Sequence, residues 1–312
     1  MILHLYADAV IVVQKLTIHL QHLPVNFVNS IEDAVVLVKL CLSSERVLPT
    51  KGGKPMEQQQ ILQIAMEQSA IDSGCQWEDF CTHENRVVNS QPHPEARKYL
   101  ELPFFCDLTS YGNQVVASVH PDFQEEAEAY LKRFSPVDCF ETPALHILEE
   151  KLRPFGCRVC FMAEYFLPDL SHLQPLSCQY SLKLLEPENF QEYYLPQWSN
   201  ALCEKRRHLD VLAVGAFDGD KLVGLAGCSA DCETMWQIGV DVLPEYRRHG
   251  IGAAVTSHLA VEILRREKVP FYCCAWSNVR SARNAIKSGF RPAWVQVTAK
   301  PEPFVKEMLK ER

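Results

Sequence analysis

Apolar residues fall at helical spacing between residues 56 and 73, where Ile61, Ile64, Ala65, Gln68 and Ile71 mark one face of a predicted helix. Alternating or continuous apolar runs at Val115–Val119 and Cys157–Tyr165 predict strands, flanking helical stretches near 123–134 and 142–152. After Cys178 come a strand in QYSLKLL, one or two helices over Pro187–Arg207, and strands in VLAVGAF and KLVGLAGCSA joined by the turn Asp218-Gly219-Asp220. A third strand, MWQIGVDVL, leads through Pro244 and a glycine turn into a helix over 251–267, with Ile251, Val255, Leu259 and Ile263 four apart. The strand PFYCCAW, a helix over 279–287 stopped by Gly289, and a strand at 293–297 complete a mixed α/β (α+β) pattern.

Eight of the thirteen glycines lie between Gly215 and Gly289, so the two halves are built differently. The pattern divides into an α+β domain over 56–170, a proline-containing linker at Pro168–Pro175, a second domain over 176–300 and a tail over 301–312. Residues 1–55 stand apart. Lys51-Gly52-Gly53-Lys54 can be encoded with a GGAGG core just before the Met56 codon, which would make Met56 the native start. The other reading is an amphipathic segment packed on the body.

Composition narrows the function. With 312 residues, 47% hydrophobic and 22% charged, the chain is globular and long enough for two domains. Its formal net charge of -8 argues against nucleic acid or an anionic membrane surface as partner. No run near 18 uninterrupted apolar residues occurs, and no signal-peptide pattern opens the chain. Thirteen cysteines are then read as reduced apolar filler in a cytoplasmic protein. Cys157 and Cys160 have CxxC spacing but sit on a strand with no second pair, and Cys273 or Cys274 is the minor alternative of a nucleophile.

Chemistry concentrates at Tyr246-Arg247-Arg248-His249-Gly250-Ile251-Gly252-Ala253, between a strand and a helix. Glycines 250 and 252 allow close backbone approach, amides at the helix start converge, and two arginines add positive charge, so a phosphate or pyrophosphate is the fitting guest. RxxGxG is neither a Walker loop nor a dinucleotide fingerprint. Val240 to Gly252, followed by Asn278, Ser281 and Gly289-Phe290, resembles the acetyl-coenzyme A signature of the GNAT N-acetyltransferase superfamily, over about 180–297.

The resemblance implies a GNAT-type fold, with the 56–170 segment either a degenerate copy of it or an unrelated lid. It implies acetyl-CoA as co-substrate, pantetheine along Val240, Asp241 and Val242, pyrophosphate on the amides of Arg247, Arg248, His249, Gly250, Ile251, Gly252 and Ala253, and cofactor contacts from Asn278 and Ser281. The implied reaction is direct attack by a primary amine of a small-molecule or amino-acid-like acceptor on the thioester. Many members carry a tyrosine seven residues after the asparagine; here Ala285 stands there. The acid is therefore open between Ser281, water and none, and Glu233 is the candidate base, with Asp241 beside it. Tyr193, Tyr194, Trp198, Trp236, Trp276 and Trp294 either line an acceptor pocket or, for most of them, belong to the core; the resemblance implies that the Tyr193 to Trp198 stretch overhangs the acceptor site. The other class of reading is a catalytically silent acyl-CoA-binding regulatory module.

Overall fold

The computed structural model describes residues 56–310, all of which fall in one compact unit. The readings of 1–55, including a start at Met56, lie outside the described residues. Helix α1 (Gln58–Ser73) is closed at its start by a reciprocal box between Glu57 and Gln60 and stopped by Gly74, whose φ of 77° suits glycine. Strands β1 (Arg86–Asn89), β2 (Cys106–Ser110) and β3 (Val116–Val119) follow, then α2 (Gln124–Arg133), α3 (Thr142–Leu152) and β4 (Cys157–Pro168). The second half contains β5 (Ser181–Leu185), β6 (Asp210–Asp218), β7 (Lys221–Ser229), β8 (Met235–Val242), α4 (Ile251–Arg265), β9 (Val269–Ala275), α5 (Val279–Lys287) and β10 (Phe290–Pro301). Residues expected as a tail form helix α6 (Glu302–Lys310).

The ten strands of the described residues join one sheet in the order β1-β3-β2-β10-β4-β9-β8-β7-β6-β5. The Pro168–Pro175 stretch, expected as a linker, connects β4 to β5, yet β4 lies between β9 and β10 and pairs antiparallel with both. The sheet therefore runs across the expected seam. The halves are also laid out differently: β5 to β8 are successive antiparallel neighbours, whereas β3 sits between β1 and β2 and is parallel to β1.

The helices expected over Pro187–Arg207 are instead short 3-10 turns at 187–189, 191–193, 196–198 and 204–209. Pro196 is the physical reason: it disfavours helical geometry in the residue before it, and Leu195 is extended at φ -128°, ψ 153°. Alternation along β6 then assigns the two faces. Leu212, Val214 and Ala216 share a core with Val255, Leu259 and Ile263 of α4, while Ala213 and Phe217 pack with Trp198, Ala201 and Leu202 from the turns. Gly227 and Gly239 face each other in register on β7 and β8, and a Cβ on either would collide with the carbonyl of Ala201 or Asn200. These two glycines let the 196–202 turn lie against the sheet.

Candidate active site

Strands β8 and β9 are parallel neighbours only from Met235 opposite Val269 to Ile238 opposite Tyr272. Beyond that point Gly239–Val242 pairs only with β7, and Cys273–Ala275 only with β4. The strands splay, and the wedge opens into a cleft of about 1580 Å³. Unpaired backbone edges on both walls can accept an extended ligand.

The glycine turn closes one end of this wedge. Gly250 at φ 79° and Arg248 at φ 69° are both left-handed, which curls the chain so that α4 starts at the cleft. No side chain caps α4, and its first intrahelical bond runs from Ala254 to the Gly250 carbonyl. The amides of Ile251, Gly252 and Ala253 are thus free of helical partners at the positive end of the helix dipole. Arg247 Nε donates to the Val242 carbonyl at 3.0 Å, tying the turn to the strand before it. Arg247, Arg248, Gly250, Ile251, Gly252 and Ala253 all line the cleft together with Val240, Asp241, Val242, Asn278 and Ser281. His249 is exposed and outside the lining.

Asn278 caps α5, its Oδ1 accepting the Ser281 amide at 3.2 Å. Ser281 Oγ lies 2.7 Å from the Tyr272 hydroxyl. Burial holds the Tyr272 phenol above its ordinary range, against hydrogen bonds from Ser281 and Asn284, so the group stays protonated near neutral pH. Ala285, seven residues after Asn278, is fully buried and faces the core. From sequence the strand PFYCCAW reads as core; Tyr272 pairs opposite Phe166 of β4, and its ring lines the cleft with its hydroxyl bonded to Ser281 of α5.

Neither candidate base has the right surroundings. Glu233 precedes β8, is 91% exposed, does not line the cleft and pairs with Lys268 Nζ at 2.7 Å, which holds its carboxyl below the usual range. Asp241 does line the cleft, but accepts from the Asn200 amide at 2.8 Å, Asn200 Nδ2 at 2.7 Å and the Ala201 amide at 3.0 Å. Its carboxylate anchors the turn above the sheet. Of the aromatic residues, Trp276 lines the cleft at 55% exposure, whereas Trp198 and Trp294 are buried in the core. Cys273 accepts a hydrogen bond from Gln237 Nε2 at 3.0 Å, and burial pushes its thiol up to about 12, leaving little thiolate for nucleophilic attack. Among the described residues no group of histidine, cysteine and carboxylate side chains could hold a metal ion, and no helix is long and apolar enough to cross a membrane. The front segment also reaches the site, since Cys160, Phe161, Met162 and Ala163 of β4 form part of the wall.

Residues 176–290 match the model of the Acetyltransferase (GNAT) family. This part of the chain is a GNAT domain. No curated protein matches the sequence. Similar solved structures include a putative GNAT-family acetyltransferase from Novosphingobium aromaticivorans, at 19% identity and TM-score 0.34, covering 46% of this chain and 66% of that one. A GCN5-related N-acetyltransferase-like protein from Streptococcus suis aligns at 21% identity and TM-score 0.38, covering 51% and 69%. A GCN5-related N-acetyltransferase from Kribbella flavida aligns at 16% identity and TM-score 0.39, covering 49% and 62%. The chain thus spans just under two thirds of the first and third of these. In the GNAT domain, β8, the glycine turn and α4 together carry the segment from Val240 to Gly252 that the sequence singled out.

Proposed function

We propose that the protein transfers an acetyl group from acetyl-CoA to a primary amine of a small, amino-acid-like acceptor by direct attack on the thioester. The observation that carries this reading is the junction of splayed strands with the uncapped start of α4: a pantetheine arm can add to the β8 edge while a pyrophosphate takes the free amides. Holding both substrates in one cleft supplies much of the rate.

In this reading the neutral amine nitrogen forms a bond to the thioester carbon, the carbon–sulfur bond breaks with its electron pair leaving on sulfur, and the proton lost by the nitrogen passes to solvent or to the thiolate. Tyr272 stabilises that sulfur by hydrogen bonding, with Ser281 orienting the phenol. Full proton transfer from Tyr272 is unnecessary, because a thiolate leaves tolerably near neutral pH. With Glu233 outside the cleft and Asp241 occupied by three donors, the acceptor enters as the neutral amine or loses its proton to cleft water. The free thiols of the described cysteines suit a cytoplasmic setting.

Among the described residues lining the cleft, the one carboxylate, Asp241, is taken by three donors, which favours a second reading, an acyl-CoA-binding module without turnover. A thiol-release assay over amines, polyamines, amino acids and peptides, run beside calorimetric titration with acetyl-CoA, separates the two. Binding with turnover of at least one acceptor supports the enzyme; binding with none supports the module; no binding removes both.

A further inference from the structure

The cations that line the cleft, Arg247, Arg248, Arg280, Arg283 and Lys287, all stand on the glycine turn or on α5. The wall built by β4 and β9 is different. It presents Phe161, Met162 and Ala163 from one strand and Cys273, Cys274 and Ala275 from the other, and none of the residues that these two strands give to the lining is charged. A polyphosphate has no cationic partner on that wall, which leaves it to the second substrate. Among the described residues the stretch from Tyr193 to Trp198 gives nothing to the lining, and the turn that follows gives Asn200.

Trp276 ends this wall. Its amide donates to the Met162 carbonyl at 3.0 Å, one step beyond the pairing of Ala163 with Ala275, so a ladder bond fixes where the side chain starts. Yet Trp276 is 55% exposed, and among the described residues its side chain makes no hydrogen bond and no ring contact. The other exposed rings have neighbours: Phe155 meets Phe105 and Phe123, while Phe161 and Phe304 of α6 meet each other with centroids 6.0 Å apart. Phe161, seated in this way, lines the same cleft. A large apolar ring held open inside a cleft gains free energy when a ligand covers it.

Charge narrows the class further. Asp241 is the one carboxylate among the described lining residues and is taken by three donors, so a second ammonium on the acceptor would meet cations and find no partner. We infer that the acceptor is an amine carrying an aromatic group and no second ammonium, an arylalkylamine or an aromatic amino acid, whose ring packs on Trp276 within the wall that Phe161 and Met162 continue. The inference names the acceptor class for the acyl transfer proposed above and rests on that reading. Offset or edge-to-face contact with the indole selects a ring over an aliphatic group of similar area.

The test is calorimetric titration of acceptors into the full chain saturated with CoA, which gives an unreactive ternary complex. Matched pairs isolate the ring: phenylethylamine against ethylamine and phenylalanine against alanine, with putrescine as the diamine. The wild type is expected to bind at least one aromatic member roughly tenfold or more tighter than its partner, and putrescine no tighter than ethylamine. In Trp276→Ala the aromatic preference should fall toward unity while CoA affinity holds, and Phe161→Leu should lower the preference by less. Both residues are exposed, and thermal melts check that each variant is folded. Failure of both aromatic members to bind, equal affinity within both pairs, tighter binding of putrescine than of either aromatic member, or a preference that survives Trp276→Ala overturns the inference and leaves the acyl-CoA reading intact. Failure of folded wild type to bind CoA overturns both.

Discussion

The hydroxyls of Tyr272 and Ser281 lie 2.7 Å apart on the cleft wall, one from β9 and one from the first turn of α5. Two elements that meet only in the folded chain thereby place a protonated phenol where α5 offers only the buried Ala285.

Tyr272→Phe keeps the ring and removes the donor. Steady-state thiol release on an acceptor found by the panel should show a kcat about ten- to a hundredfold lower with little change in KM, because the bond strengthens only as charge develops on sulfur. Ser281→Ala should have a smaller effect of the same sign. An unchanged kcat in Tyr272→Phe removes the phenol from the mechanism.

Ala285→Tyr, which writes the more usual family residue into the sequence, should not raise activity. The site is fully buried, so the ring has no room, and a loss of about 1–3 kcal/mol is expected in chemical denaturation. A stable variant with faster turnover would show that α5 can present the ring to the cleft.

Gly239→Ala should disturb the cleft lining at Asn200, since its Cβ meets the Asn200 carbonyl and Asn200 is itself held by Asp241. Backbone must move, at an expected cost of about 1–3 kcal/mol. CoA affinity should fall, because Gly239 opens the β8 edge given to the pantetheine arm, which calorimetric titration beside the denaturation curve would read.

Asp72 and Arg97 form an ion pair with both side chains about 97% or more out of solvent, and the Arg97 guanidinium also lies 5.7 Å from the ring centroids of Tyr165, Phe271 and Trp294. Removing one partner, as in Asp72→Asn, leaves a buried unpaired charge and should cost about 3–5 kcal/mol in urea unfolding. Asp72→Leu with Arg97→Met should lose less than the single change.

Burial raises Asp107 to about 6, against hydrogen bonds from Thr298, Gln296 and Thr109, and burial likewise raises Asp210 to about 6. Each folded-state value lies above the ordinary carboxylate value of 3.8, so the native protein binds more protons than the unfolded chain between these limits. Their contribution to stability therefore grows as pH falls from 7 toward 4 and is lost as pH rises through about 6. Denaturation midpoints at pH 7, 6 and 5 should show a flatter dependence in Asp107→Asn than in the wild type, with the Asp210 share retained.

Local chemistry made much of the GNAT half legible. Glycine spacing, apolar periodicity and the strand-turn-helix order from Val240 to Gly252 are local features, and the structure keeps them: α4 starts at Ile251, α5 spans Val279–Lys287, and the amides of the turn face the cleft. Side-chain partners are another matter, because a carboxylate's availability depends on what long-range packing brings to it. Lys268 draws Glu233 to the surface, Asn200 and Ala201 occupy Asp241, and neither contact leaves a pattern in the chain. Pro196 was a local signal against the expected helices over 187–207. The insertion of β4 between β9 and β10 was not local at all, since strand order is decided by which edges find each other after collapse. The sequence by itself determined the strand–glycine turn–helix segment from Val240 to Gly252; only tertiary pairing decided that β4 walls the cleft and that Tyr272 faces it, because both depend on which strand edges meet in the fold.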